Sequence, residues 1–190
     1  MYPSKRALDI GLSLAALLIV TPILAVVLVA IRCESAGPPL LVQTRVGREG
    51  RPFACLKLRT MYYGTAHLPT HQTPISAVTP LGARLRRWKL DELPQLVNVF
   101  LGQMSLVGPR PCLPAQTALI EARRRLGVLS ASPGITGLAQ VQNVDMSDPE
   151  RLARIDAEYV RTRSFSLDLK LIMATLLGKG VGIDHIADGA

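Results

Sequence analysis

Residues 10–31 read IGLSLAALLIVTPILAVVLVAI, a stretch bounded by Asp9 and Arg32 with no charged residue between them. As a straight helix it would run roughly 33 Å, enough to cross the hydrocarbon core of a bilayer. It is longer than the apolar region of a secretory signal, and no small-residue cleavage site closes it. It is therefore expected to stay on the mature protein. Two features argue against a simple crossing. Pro22, just after Thr21, removes one backbone donor and crowds the Leu18 carbonyl, so a helix is expected to kink or break there. The Thr21 hydroxyl is placed to satisfy freed backbone groups. Both flanks are also basic, with Lys5 and Arg6 before the stretch and Arg32, Arg45, Arg48 and Arg51 after it. Positive flanks favour the cytoplasmic side. Two of them favour a segment that enters and returns, a re-entrant helix–break–helix rather than a straight span.

The composition agrees with a membrane location. The chain has 190 residues, 48% of them hydrophobic but only 4% aromatic, so its apolar content is aliphatic. A formal net charge of +8 suits anionic partners,. The apolar run points to membrane lipid among these, because anionic headgroups attract basic segments. Nucleic acid is not expected, since few aromatics are available for base stacking and no nucleic-acid motif is present. Cys33, Cys55 and Cys112 are odd in number and lack C-x-x-C spacing, which argues against a disulfide framework and a cysteine zinc site,. Pro69 between His67 and His71 spoils the helical spacing that a metal pair would need,.

Beyond the apolar stretch the chain reads as a small α-rich α/β domain with a minor sheet and amphipathic helices at the membrane interface. Residues 1–35 are expected to form the re-entrant membrane helix and residues 36–190 the domain on the cytoplasmic face. Strands are expected at Leu40–Val46 and Phe53–Met61, and a loop at Tyr62–Pro80. Leu93, Leu96, Val97 and Phe100 fall at helical spacing, so Asp91–Leu101 is expected to be a helix with Asp91 as its N-cap and Gly102 as its stop. Leu113–Leu126 and Pro149–Arg161 read as helices, and Ser132-Pro133-Gly134 as a turn. Leu167–Leu177 is apolar but too short to span. The run Arg123-Arg124-Arg125 reads as a solvated or lipid-facing strip.

Arg84, Arg86, Arg87 and Lys89 lead directly into Asp91-Glu92. A helix N-terminus and basic neighbours are expected to keep the Asp91 carboxylate ionised. An ionised, aimed carboxylate can attack phosphorus and form an acyl phosphate. Nearby cations neutralise phosphate oxygens as charge shifts. Glu92 beside it suits Mg²⁺, a hard cation that takes one or two carboxylates plus substrate phosphates. The bland alternative is an N-cap with an acidic neighbour and a solvated basic strip.

The longer pattern decides between them. Leu90-Asp91-Glu92-Leu93-Pro94-Gln95-Leu96, then Asn98-Val99, Gly102, Met104-Ser105 and Val107-Gly108-Pro109-Arg110-Pro111, resembles the bacterial sugar-transferase family of monotopic phosphoglycosyl transferases. Gln43-Thr44-Arg45-Val46-Gly47, Lys57-Leu58-Arg59-Thr60-Met61, Ser132-Pro133-Gly134-Ile135-Thr136-Gly137, Tyr159 and Asp168-Leu169-Lys170 follow the family order. Leu138 and Gln142 depart from it, standing where many relatives carry Trp and Asn. The chain looks like the minimal catalytic unit, without the spanning helices that larger relatives place before it.

The resemblance implies that Asp91 attacks the β-phosphate of a UDP-sugar, releases UMP and holds the phospho-sugar covalently. A polyprenyl (undecaprenyl) phosphate then takes it. It implies Mg²⁺ at Glu92, and Lys57, Arg59 and Arg110 along the phosphate site. Pro133, Gly134 and Thr136 are implied near substrate, through turn N–H groups that cradle phosphate or by shaping a turn only. Asp168 is implied as a substrate contact, or as a helix cap or ion-pair partner. The family's membrane segment is re-entrant from the cytoplasm, which places the catalytic domain on the cytoplasmic face of the inner membrane. The alternative is a non-catalytic membrane-anchored module that binds anionic lipid or nucleic acid.

Overall fold

The computed structural model describes residues 4–65 and 75–178. The apolar stretch lies within one helix, α1 (Lys5–Glu34), of 30 residues. The break expected at Pro22 is absent, and the backbone stays helical through it. Proline removes a single donor and leaves the bonds on either side intact. The Thr21 hydroxyl donates to the Leu17 carbonyl at 2.6 Å, next to the Leu18 carbonyl that Pro22 frees,.

Both ends of α1 are tied to the same body. At its start, Lys5 Nζ donates to the Val107 carbonyl (3.0 Å) and the Tyr159 hydroxyl (3.2 Å) and pairs with Asp168. Arg6 donates to the Val99 and Phe100 carbonyls, each at 2.6 Å. Asp9 accepts from the Ser105 hydroxyl (3.0 Å) and the Leu106 N–H (2.9 Å). At the far end, Ile31 is buried with Leu58 and Leu85, and Leu24, Val27 and Leu28 pack around them. Between the two ends, Leu18 and Ile19 stand 73% and 70% exposed. Water would not favour that arrangement.

After α1 comes an antiparallel hairpin of β1 (Leu40–Val46) and β2 (Pro52–Leu58), in register from Leu40 opposite Leu58 to Val46 opposite Pro52. Strand alternation puts Leu41, Gln43 and Arg45 on one face with Phe53, Cys55 and Lys57, and this face turns inward,. The first strand lies where the sequence puts it. The second stops three residues early, and Met61 makes only an isolated bridge to Val78. Residues 66–74, including His67 and His71, lie outside the described residues.

Helix α2 (Pro80–Arg87) occupies what read as a basic approach to the acidic pair. Its signals were in the sequence. Thr79 caps it by accepting the Gly82 N–H at 2.9 Å, Pro80 opens it, and Leu81 and Leu85 pack toward α1,. The helix expected over Asp91–Leu101 is shorter. A separate 3-10 turn holds Leu90–Glu92, and α3 is Gln95–Phe100. Asp91 is therefore not an N-cap.

Two three-residue strands, β3 (Ser105–Val107) and β4 (Gly134–Thr136), pair in parallel. The remaining helices are α4 (Thr117–Arg125), α5 (Leu138–Val141), α6 (Pro149–Thr162) and α7 (Phe165–Leu176). Helix α4 opens later than expected because the Gln116 side chain takes the Leu113 N–H at 2.9 Å. Leu119 and Ala122 of α4 bury against Leu152 and Ala153 of α6. Leu171 of α7 packs on Val107 and Tyr159. The expected α-rich fold with a minor sheet is present, with two small two-stranded sheets among the described residues.

Candidate active site

Lys89 adopts a left-handed conformation (φ 53°) between α2 and the 3-10 turn. This uncommon geometry for a non-glycine residue swings the chain so that both Asp91 and Glu92 are buried,. They face the inner side of the β1–β2 hairpin. Lys57 Nζ of β2 lies 3.5 Å from Asp91 Oδ2 and donates to Glu92 Oε1 at 3.0 Å. From the loop after β3, Arg110 donates through Nη2 to Glu92 Oε1 (2.5 Å) and through Nη1 to Oε2 (3.4 Å). Four residues from three separate stretches of sequence thus form one charged cluster.

Asn98 holds the platform together. Its side chain is buried, accepts the Leu56 N–H at 3.0 Å and donates to the Ala54 carbonyl at 2.8 Å. It locks α3, and with it the preceding turn, against the strand that carries Lys57.

The two carboxyls are driven apart. Burial raises Asp91 above its ordinary value, and the Glu92 charge adds to this; Lys57, Arg110 and Arg86 oppose the rise without cancelling it. Burial opposes the charge on Glu92 as well. There Arg110 and Lys57 outweigh it and hold Glu92 well below the usual carboxylate range,. The expected strong ionisation therefore belongs to Glu92, not to Asp91. The physical reason is position: Asp91 lies before α3 rather than at its cap, and Lys57 and Arg110 bond more closely to its neighbour.

Arg59 does not join the cluster. Its guanidinium donates to the Ala36 carbonyl, to the Ser35 carbonyl (2.7 Å) and hydroxyl (2.9 Å), and toward the Ile31 carbonyl (3.4 Å). It closes the C-terminal end of α1, where cations complement the helix dipole. Asp168 does not join it either. Asp168 is fully buried against Lys5 and accepts the Tyr159 hydroxyl at 2.8 Å, which makes it the ion-pair partner.

The Pro133–Thr136 segment is near the cluster but does not present a phosphate cradle. The Pro133 carbonyl accepts the Ser105 N–H at 2.8 Å, and the Gly134 N–H donates to the Pro109 carbonyl at 2.9 Å. The Thr136 carbonyl accepts the Gly108 N–H at 2.8 Å, and its hydroxyl bonds that of Thr175 at 2.6 Å. These residues clamp the loop that carries Arg110. The contact is so close that a Cβ on Gly134 would fall 2.1 Å from the Gly108 nitrogen. Gly134→Ala is therefore expected to force the two strands apart and cost about 1–3 kcal/mol or more. A drop in melting temperature together with lost activity would check this; an unaltered melt would contradict it.

Arg123 was misread as part of an exposed strip. It is buried, donates to Asp156 Oδ2 through Nε (2.9 Å) and Nη2 (2.7 Å), and reaches the Arg110 carbonyl through Nη1 at 2.9 Å. Three consecutive arginines hide this, because only the helical phase toward Leu119 and Ala122 separates Arg123 from its exposed neighbours.

A divalent cation has a fitting but small donor set here. Asp91 and Glu92 supply hard oxygen donors, and no group of three His, Cys, Asp or Glu side chains converges among the described residues. Two carboxylates are what Mg²⁺ takes when substrate phosphates and water complete its shell.

The chain thus combines a long apolar helix, fastened to a small α/β body, with a buried carboxyl pair ringed by cations. The family model for bacterial sugar transferases matches residues 2–179. The chain belongs to that family. It is 40% identical over 185 residues to the undecaprenyl-phosphate glucose phosphotransferase of Komagataeibacter xylinus, covering 90% of this chain and 35% of that protein. It is 39% identical over 182 residues to the UDP-glucose:undecaprenyl-phosphate glucose-1-phosphate transferase of Caulobacter vibrioides, covering 90% of this chain and 68% of that one. The Escherichia coli protein of the same name is 37% identical, with 90% of this chain and 39% of that protein covered. The chain thus spans only about a third of the length of some relatives.

Proposed function

We propose that this chain transfers a phospho-sugar from a UDP-sugar to a polyprenyl phosphate at the membrane surface, releasing UMP. The observation that carries the proposal is the buried Asp91–Glu92 pair with Lys57 and Arg110 closed around it. The names of the relatives make UDP-glucose and undecaprenyl phosphate the first substrates to try.

In the first half-reaction, an Asp91 oxygen bonds to the β-phosphorus. The bond from that phosphorus to the bridging oxygen breaks, and UMP leaves with the electron pair. In the second, a phosphate oxygen of the polyprenyl phosphate bonds to the same phosphorus, and the Asp91 carboxylate is released. Burial favours the attack, because a poorly solvated carboxylate has less hydration to shed. Lys57 and Arg110 are close enough to meet the phosphate oxygens as charge moves between them. Mg²⁺ would be held by Glu92 with Asp91 beside it, and would supply neutralisation of the diphosphate.

Three features support a re-entrant α1 with the body on the cytoplasmic side. Both ends of α1 contact one body, both flanks are basic, and the 30-residue helix exposes its apolar middle. On α7, Phe165, Leu169 and Met173 stand exposed at four-residue spacing, opposite buried Asp168 and Leu171, as an interfacial helix requires,. Trp88, 73% exposed after α2, suits the same plane,. Topology can be tested with thiols. Cys33 is exposed at the end of α1, whereas Cys55 and Cys112 are buried. A membrane-impermeant thiol reagent should modify Cys33 and a cysteine placed at Ser4 from the same, cytoplasmic side. Modification from opposite sides would exclude re-entry.

The activity test is UMP release from a panel of UDP-sugars, with and without undecaprenyl phosphate, with Mg²⁺ removed by chelation and then restored. A stoichiometric burst of UMP without acceptor, with a matching mass increase on Asp91, is the expected result. A non-catalytic membrane-anchored module would bind and release nothing.

A further inference from the structure

The inner face of the hairpin carries a cation that the mechanism above does not use. Arg45 lies on the same face as Lys57, with the pair Gln43–Cys55 between their positions. Its guanidinium is braced, not loose. Nε and Nη2 donate to Gln43 Oε1 at 3.0 and 2.6 Å, and Nη1 donates to the Pro111 carbonyl at 3.1 Å. That carbonyl belongs to the residue after Arg110, so Arg45 is fixed to the loop that brings Arg110 to Glu92. A guanidinium has five N–H groups, and these bonds leave two for a ligand. Burial, and next the Arg110 charge, push Arg45 below its ordinary value, so two like charges are held close in a poorly solvated place. No acidic side chain pairs with Arg45 among the described residues; its partners are an amide and a carbonyl.

The cluster therefore has an order. Arg86 acts on Asp91 at one end, while Lys57 and Arg110 share Glu92 in the middle. Arg45 stands beside Arg110, tied to the carbonyl of the next residue. Four cations face two carboxylates, so the cluster carries an excess of positive charge. Such a surplus is stabilised by a polyanion lying along the row. A diphosphate with one phosphorus at Asp91 places its other phosphate toward Arg110 and Arg45.

We propose that Arg45, braced by Gln43 and the Pro111 carbonyl, binds the nucleotide-side phosphate of the sugar donor and stabilises it as the leaving group. This rests on the transferase reading above. As the bond to the β-phosphorus breaks, negative charge collects on the departing phosphate, where a fixed guanidinium meets it. The acceptor phosphate, which attacks only after UMP has left, enters in line opposite the Asp91 oxygen and so meets the same guanidinium in its turn.

The test measures UDP binding by calorimetry to the full chain in detergent, in the Asp91→Asn background, with Arg45 intact or changed to Ala, Gln or Lys. Removing the guanidinium is expected to weaken UDP about 10- to 100-fold, the range for a charge-assisted bond, and Arg45→Lys to recover part of it. Arg45→Gln keeps side-chain bulk and decides the matter if the alanine variant does not fold. With Asp91 present, the burst of UMP released without acceptor should slow in the same variants, because that half-reaction contains the departing phosphate and no acceptor. UDP affinity unchanged in the Gln variant would overturn the proposal, as would a UMP burst of unaltered rate. Absence of UDP binding by the parent chain would overturn the transferase reading with it. Turnover by the parent chain alongside unaltered UDP binding in the variants would overturn the Arg45 assignment alone.

Discussion

Asp91→Asn is expected to lower UMP release by about 10⁶-fold, the scale seen when an enzyme loses a nucleophile. Asparagine keeps the shape of the side chain but offers no anionic oxygen to bond to phosphorus. The substitution should not unfold the site. Among the described residues, Asp91 takes a long 3.5 Å contact from Lys57, whereas Glu92 carries the short bonds to Lys57 and Arg110. The variant should therefore bind UDP-sugar, melt near the parent temperature and form no mass adduct. Glu92→Gln should behave differently. It removes the charge that both cations share, so it should disturb the positions of Lys57 and Arg110 as well as the rate. Appreciable UMP release by Asp91→Asn would remove Asp91 from the nucleophile's role.

Asp168→Ala is expected to destabilise the protein by about 3–5 kcal/mol, because it leaves the buried Lys5 ammonium without its carboxylate. Lys5 and Asp168 are 3% and 0% exposed, so water cannot take the carboxylate's place without opening the core. The same deletion removes the closer of two acceptors for the Tyr159 hydroxyl, leaving the Val107 carbonyl. In detergent the melting temperature should fall by roughly 10 °C. Replacing both partners with apolar residues, Lys5→Met with Asp168→Leu, should recover part of the loss, since the charge itself is then gone. An unchanged melt with a raised KM would return Asp168 to the substrate contacts.

The two carboxyls, Lys57 and Arg110 were legible because each sits in a block of distinctive sequence and the structure brings those blocks together. Arg59 was not. It has the same parity as Lys57 and belongs to the same block, but β2 ends at Leu58, and the free carbonyls at the end of α1 take its guanidinium. No sequence pattern announces which cation will cap a helix distant in the chain. The Pro133–Thr136 segment misled for a related reason. Glycines suit both a phosphate cradle and a close strand contact, and only the backbone partners tell the two apart. Helix α2 was legible in principle from Thr79-Pro80 and the Leu81–Leu85 spacing, but the basic run drew attention to charge over periodicity.

The attachment of α1 at both of its ends has a mechanical meaning. A domain on a single tether can swing and rotate, and its catalytic groups then sample many heights above a membrane. Here Lys5, Arg6 and Asp9 fasten one end to β3, α3 and α7, and Ile31 and the Arg59 contacts fasten the other to β2 and α2. With the middle of α1 in lipid, two fixed points remove that swing and set both the depth and the tilt of the Asp91 carboxylate. Under the proposed function, a lipid-linked phosphate confined to the headgroup layer would then meet its target by drifting in two dimensions, without leaving the bilayer and without a hinge to wait for.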